Sequence, residues 1–277
     1  MILSFHPLYI GDQNIICAGR QPGADDLAAI RAADAVVLPQ GCYQSLYEMA
    51  RANCAHVFPH YDARFEYPGK IGQIEMFRRY DIAHPASEIY HNLAAFERRH
   101  PERSLPPNIG FPLVFKLDWG GEGETVYRVE SGEDMDDILK KTKAYEKSGQ
   151  FGFLLQEYIP CGNRSLRVAV IGRRLLSYWR VGGPQVGFYS NLGRGAVIDR
   201  DSDPDLQEKA VALVGQICQK TGINLAGFDV IFSNDADDPT PLLLEINYFF
   251  GRKGLGGSEA YYKILLAEIE AWIQAIS

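Results

Sequence analysis

The sequence predicts a small α/β unit over residues 1–67 followed by a larger α+β region over residues 68–277. Three observations predict it. Residues 1–67 alternate short apolar runs with helical patterns in the order β-α-β-α-β, which implies a parallel sheet. Pro68-Gly69 then breaks the chain. Beyond it, strands and helices follow one another without strict alternation. A chain of 277 residues, 46% hydrophobic and 23% charged, can bury a core of this size.

In chain order, residues 2–5 and 14–18 read as strands, and Asp25-Asp26 open a helix that turns Leu27 and Ile30 inward. Residues 35–38 form the next strand. Tyr43, Leu46, Tyr47 and Ala50 recur at helical spacing, and residues 55–58 complete the unit. No Gly-x-Gly-x-x-Gly follows the first strand, so a dinucleotide site is not expected there. Past Pro68, the residues Ile71, Ile74 and Phe77 mark a helix that begins beside Lys70. Residues 87–99 continue helically, with Ile89, Leu93 and Phe96 on one stripe. A proline-bearing loop at 100–110 leads to a strand at 113–117. Ser131 and Asp134 have the spacing of a capping box, opening a helix with Met135, Ile138, Leu139 and Thr142. Strands follow at 151–158, 166–171 and 175–181, then an amphipathic helix at 204–220. Two β-rich runs, 227–232 and 242–247, are joined by a polar hairpin loop, and a helix at 258–276 ends the pattern.

Bulk properties exclude several classes. The net charge of −7 argues against a nucleic-acid backbone as partner, which would want a basic face. The five cysteines (17, 42, 54, 161 and 218) are odd in number and contain no C-x-x-C pair. A disulfide framework and structural zinc are therefore not expected, and a reducing compartment fits. The first ten residues carry no basic leader-like region, and no apolar run approaches the ~20 residues of a membrane span. The expectation is a cytoplasmic protein with no nucleic-acid or membrane partner, its oligomeric state left open.

Chemistry-bearing residues concentrate at 242–247. Side chains alternate along a strand, so Leu242, Leu244 and Ile246 should face one side and Leu243, Glu245 and Asn247 the other. If partners in the preceding strand sum to 474 or 476 in number, Asp229 lies directly across from Glu245 or Asn247. Two carboxylates and an amide suit Mg²⁺, which completes its shell with water and phosphate oxygens. A solvated acidic hairpin rim is the plain alternative. Lys116 precedes Gly120, Gly121 and Gly123, where backbone N–H groups can approach phosphate oxygens with no Cβ in the way. Taken alone, this stretch reads more simply as a glycine-rich hairpin. The strand ending in Gln156-Glu157-Tyr158-Ile159 offers backbone groups to a purine or is an ordinary edge strand. Arg167 and Arg180 interrupt apolar strands, and a buried arginine needs an anion, whether substrate or structural carboxylate. Asn191 and Arg194 sit on a glycine-flexible loop.

The order of these parts is more specific than any one of them. A lysine helix, a Lys–glycine loop, a Gln-Glu strand end, arginine strands, an Asn-x-Gly-Arg-Gly loop and then Asp…Glu-x-Asn resembles the ATP-grasp superfamily. The likeness is nearest its ribosomal-protein glutamate ligase and bacterial glutathione synthetase branch, and runs from about residue 70 to 251. It implies an α+β ATP-grasp fold whose two lobes, 68–157 and 158–277, clasp ATP behind a small Rossmann-like domain at 1–67. It also implies that Lys70 and Lys116 bind phosphates and that Gly120, Gly121 and Gly123 close over them. Gln156, Glu157, Tyr158 and Ile159 match the adenine-holding hinge, and Arg167, Arg180 and Asn191 match groups on the γ-phosphate side. Asp229, Glu245 and Asn247 match the Mg²⁺ ligands.

The activity so implied is ATP-dependent ligation of a carboxylate to an amine through an acyl phosphate, on an amino acid, a small peptide or a protein terminus. A small-molecule kinase of the same fold and a non-catalytic nucleotide-binding regulator stay open as alternatives. Two departures stand out. Ser165 occupies a position where the family usually has Asp, which leaves the ribose contact open. Tyr248-Phe249-Phe250-Gly251 replaces small residues and proline, which implies a reshaped acceptor site. Arg252 and Lys253 either clamp a substrate carboxylate or form a solvated pair. His60-Tyr61-Asp62 lies where open α/β sheets bind ligands.

Overall fold

A computed structural model describes residues 1–17, 19–101, 104–121, 123–182, 196–234 and 239–276. The N-terminal strands β1 (Ile2–Ser4), β2 (Gln13–Asn14), β3 (Ala35–Val37) and β4 (His56–Phe58) form a parallel sheet in the order β2–β1–β3–β4. Helices α1 (Ala24–Ala32) and α2 (Gln44–Asn53) make the connections. Leu3, Val36 and Val37 are fully buried, as strands covered on both faces must be. The strand expected at 14–18 ends at Asn14 instead. β1 stops at Ser4, whose carbonyl accepts from the Ile15 N–H at 2.9 Å and whose hydroxyl turns to donate to the Tyr9 carbonyl at 2.7 Å, so among the described residues the ladder runs no further than Ile15. In α1, Ile30 is buried as expected, whereas Leu27 is only half-buried and Asp26 goes inward to accept from the Gly23 N–H at 2.7 Å.

The middle of the chain builds an antiparallel sheet in the order β5–β8–β6–β7. Its strands are β5 (Ser87–Tyr90), β6 (Leu113–Leu117), β7 (Val126–Val129) and β8 (Phe153–Glu157). The short α3 (Asp62–Glu66) and α4 (Gly69–Arg79) precede it. The continuous helix expected over 87–99 is in fact β5 followed by α5 (Leu93–Arg99). Asn92 divides them, its side-chain oxygen accepting from the Ala95 N–H at 2.8 Å as a helix N-cap. Ile89 pairs with Leu154 across the sheet, so the apparent helical stripe joined two elements by coincidence of spacing. Strand β7 was not anticipated. Helix α6 (Gly132–Lys147) starts on the Ser131 cap and buries Met135, Ile138, Leu139 and Thr142 as expected. β8 is interior to the sheet rather than an edge.

The last region is a second antiparallel sheet, β11–β10–β9–β12–β13. It comprises β9 (Arg164–Ile171), β10 (Arg174–Val181), β11 (Val197–Asp199), β12 (Leu225–Ile231) and β13 (Leu242–Asn247). Alternation gives the sheet two faces. Leu166, Val168, Val170, Phe228 and Val230 pack with Ala210, Val214 and Ile217 of α7 (Pro204–Thr221). On the other face, Ala169, Ile171, Tyr178 and Leu225 join Tyr261, Leu265 and Ile269 of α8 (Gly257–Ile276) in one core with the N-terminal sheet. The first 67 residues therefore do not close a core of their own. Among the described residues, no helix is long and apolar enough to cross a membrane.

Candidate active site

The face that carries Ala169 and Ile171 also carries Arg167, because all three are odd-numbered in one strand. Register then sets a row of side chains across four strands. Tyr178 pairs with Arg167, Arg167 with Asp229, and Asp229 with Glu245. The Asp229–Glu245 pair obeys the sum of 474 that the sequence allowed. The next pair along, Gly227 and Asn247, brings the amide onto the same face beside that row. Immediately after Asp229 the register slips by one residue, so Val230 faces Leu243. This bulge overturns the strict alternation expected of β13. Leu243 and Ile246 both enter the core, while Leu244 joins Glu245 and Asn247 on the cleft side.

Asp229 is the hub. It receives Arg167 Nε at 2.5 Å, Arg167 Nη2 at 3.0 Å, Arg180 Nη2 at 2.8 Å and Asn247 Nδ2 at 3.1 Å. Burial would raise its carboxyl, but the two guanidiniums overcome this and hold it at about 2. Asn247 Nδ2 also donates to Glu245 Oε1 at 2.9 Å, tying the two carboxylates together. Ser165, the departure from the family's Asp, accepts from Arg180 Nη2 at 2.9 Å. Arg180 Nε is buried with no hydrogen-bond partner among the described residues. Such an orphaned donor on a cation marks a place for an anion.

Across the cleft stand the two lysines. Lys116 is buried on β6, and desolvation pushes its pKa down to about 8 against the opposing pull of Glu245. Burial likewise lowers Lys70, again opposed by Glu245. Glu245 is thus within electrostatic reach of both. Neither lysine forms an ion pair among the described residues. Lys70 Nζ instead donates to the carbonyls of Trp119 and Gly120 at 3.1 and 3.0 Å, pinning the glycine loop. Gly120 has φ +81°, and a Cβ there would lie 2.6 Å from Thr125 Cγ2, so only glycine permits this turn. Asp118 accepts from the Ile71 N–H at 2.8 Å, fastening the first turn of α4 to the loop.

Gln156, Glu157, Tyr158 and Ile159 end β8 and begin the link to β9, placing them on the wall between the two sheets. Gln156 is buried and donates to Ser87 Oγ at 2.9 Å, a partner that comes from the adjacent strand. All the expected site residues among those described line one cleft of about 700 Å³. Asn191 lies outside the described residues. The donor set at Asp229, Glu245 and Asn247 fits Mg²⁺, being hard oxygen only and leaving room for water and phosphate ligands. Glu245 is the freer carboxylate. Asp229 accepts from four donors, so it would join a metal only by giving one of them up. Among the described residues no group of three His, Cys, Asp or Glu side chains is placed to hold a metal ion, so the amide oxygen of Asn247 would have to complete any site with Asp229 and Glu245.

Sequence reasoning missed three supports. Gln73 on α4 exchanges two hydrogen bonds with the backbone of Ile246, at 2.9 Å to its carbonyl and 2.8 Å from its N–H, which satisfies the edge of β13. Gly227 leaves room for Arg167, since a Cβ there would come within 2.6 Å of Nη1. Gln40 donates to the Tyr248 carbonyl at 3.1 Å and links the N-terminal sheet to the end of β13. Only the unusual polarity of Gln73 and Gln40 amid apolar neighbours was visible beforehand.

The sequence matches the RimK-like ATP-grasp domain family over residues 70–273. In fold the chain is similar to a RimK domain ATP-grasp protein from Sphaerobacter thermophilus, at TM-score 0.63 and 16% identity, covering 97% of each chain. It is similar to D-alanine–D-alanine ligase from Bacillus anthracis, solved with ATP, at TM-score 0.60 and 13% identity, covering 91% of this chain and 83% of that one. It is also similar to an L-amino acid ligase from Bacillus licheniformis, at TM-score 0.59 and 14% identity, covering 95% of this chain and 64% of that one. A sequence comparison with curated proteins finds no match.

Proposed function

This chain belongs to the RimK-like ATP-grasp domain family, and from that premise we propose that it is an ATP-dependent carboxylate–amine ligase. The observation that carries the reading is the convergence of Asp229, Glu245 and Asn247 in one strand pair, facing Lys70 and Lys116 across a single cleft. In this reading Lys70, Lys116 and the loop through Gly120, Gly121 and Gly123 hold the ATP phosphates. Gln156 to Ile159 hold the adenine. Mg²⁺ at Glu245, Asn247 and Asp229 would neutralise charge on the phosphates.

Arg180, with its unpartnered Nε, stabilises charge as the γ-phosphoryl group moves to a substrate carboxylate. Arg167 keeps Asp229 ionised and oriented. The resulting acyl phosphate is attacked by an amine, phosphate leaves, and an amide forms. No side chain acts as covalent nucleophile. We read residues 1–67 as a Rossmann-like unit that walls the acceptor side while sharing its core with α8, and 68–157 and 158–277 as the two lobes around ATP. The substrates fall in the class of amino acids, peptides or protein termini.

The test is mass spectrometry of a small-molecule extract incubated with protein, ATP and Mg²⁺, with Glu245→Gln as control. A product equal to two substrates less one water supports the ligase. A product gaining only a phosphoryl group means a kinase, and ATP binding with no product would fit a regulator or a protein substrate.

A further inference from the structure

The loop leaving the metal strand carries a cation that the ligase scheme does not use. Arg252 lines the cleft together with Lys253 and Phe249, past Glu245 and Asn247 in the chain. Its guanidinium carbon lies 4.8 Å from the ring centre of Tyr261 and 4.5 Å from that of Tyr262, both in the first turns of α8. No carboxylate among the described residues pairs with it. Stacking on aromatic rings engages the faces of the guanidinium and leaves its N–H edge for a planar acceptor.

The loop is also held in place. The Arg252 carbonyl accepts from the N–H groups of Leu255 and Gly257 at 3.0 Å each. Arg200 Nη2 donates to the Gly254 carbonyl at 3.0 Å. A Cβ at Gly254 would lie 2.0 Å from Tyr178 Cζ, so this loop packs directly onto the ring at the end of the Arg167–Asp229 row. A cation fixed in this way has little rotamer freedom left to lose on binding.

Beside it, Phe249 is 72% exposed, with its ring edge against Gly41 of the N-terminal unit. Basic side chains outnumber acidic ones along the described cleft lining, although the whole chain carries −7. The lysines answer to ATP phosphates; Arg252 and Lys253 are left over.

We propose that Arg252 anchors a carboxylate of the amine-bearing substrate, distinct from the carboxylate that is phosphorylated, with Phe249 contacting an apolar group beside it. The acceptor is then an amino acid or a peptide with a free α-carboxylate, not a simple amine. This deepens the ligase reading and rests on it for the meaning of the site.

The experiment is calorimetric titration of the protein loaded with ADP and Mg²⁺. The titrants are a panel of free amino acids and dipeptides, each also as its C-terminal amide. At least one free acid is expected to bind, its amide at least about tenfold more weakly, and Arg252→Gln to lose affinity for the acid by a similar factor. ADP affinity should be the same in both proteins, and Arg252→Lys should restore part of the loss. Equal binding of acids and amides, unchanged binding by Arg252→Gln, or no binding by any panel member would overturn the proposal. Phosphate release is measured separately. Acids that bind through Arg252 with no phosphate released would retire the ligase reading and leave the anchor standing; release with simple amines, independent of Arg252, would do the reverse.

Discussion

The two antiparallel sheets that meet at the cleft treat charge in opposite ways. On the second sheet, the guanidiniums of Arg167 and Arg180 converge on Asp229, and Asn247 bridges Asp229 to Glu245. On the first, Lys116 is buried with no ion pair among the described residues, and Lys70 spends its protons on loop carbonyls. The paired side is a network that fixes geometry and leaves one donor, Arg180 Nε, open. The lysine side carries charge that burial penalises until an anion arrives. A site built from one rigid half and one unsatisfied half is suited to a polyphosphate, because binding energy is gained on the side that has least to lose.

The largest expected effect breaks the comparison at the freer carboxylate. Glu245→Gln should reduce turnover by about 10³-fold or more while nucleotide still binds, measured by phosphate release and ADP titration. Normal turnover would mean that the paired half is only structural.

Next in size is stability. Asp229→Ala leaves two buried guanidiniums without their carboxylate and should cost about 3–5 kcal/mol, read as a fall in Tm. Lys116→Met, by contrast, should leave Tm unchanged or raise it and yet weaken ATP binding. If both variants lowered Tm alike, the two halves would not differ as argued.

A smaller effect is steric. Gly227→Ala presses a methyl against Arg167 and Phe250 and should cost about 1–3 kcal/mol by denaturant unfolding.

The lysine side should also respond to pH. Burial lowers the Lys116 pKa to about 8, so the charged form that phosphate prefers dominates below that value. ATP affinity should therefore fall as pH rises through 8, and the fall should flatten in Lys116→Met.

The smallest change is expected at Gln73→Ala, about 1–2 kcal/mol for the two hydrogen bonds lost to Ile246.

Much of this was legible in the residue order. Short apolar runs between helix signals announced the parallel unit, and Ser131 announced α6 together with its buried face. Glu245 and Asn247 declared themselves as carboxylate and amide in an otherwise apolar strand, and their pairing with Asp229 was one of two registers allowed. The failures have physical causes. Helical spacing over 87–99 ran through a strand and a helix because periodicity cannot see a cap that divides two elements. The bulge after Asp229 depended on packing of Leu243 and Ile246 into the core.

The sequence by itself therefore determined most of the elements, the glycine loop and the carboxylate and amide of the last strand, since these depend on neighbours a few residues apart. Tertiary structure alone decided how the charges pair. Arg167 meets Asp229 across 62 positions of chain, and Gln73 meets Ile246 across 173. Such partners are chosen by strand register and by which face is left uncovered, and both are set by the core as a whole. The same core, shared between the N-terminal sheet and α8, holds the Arg252 loop where no local pattern could have placed it.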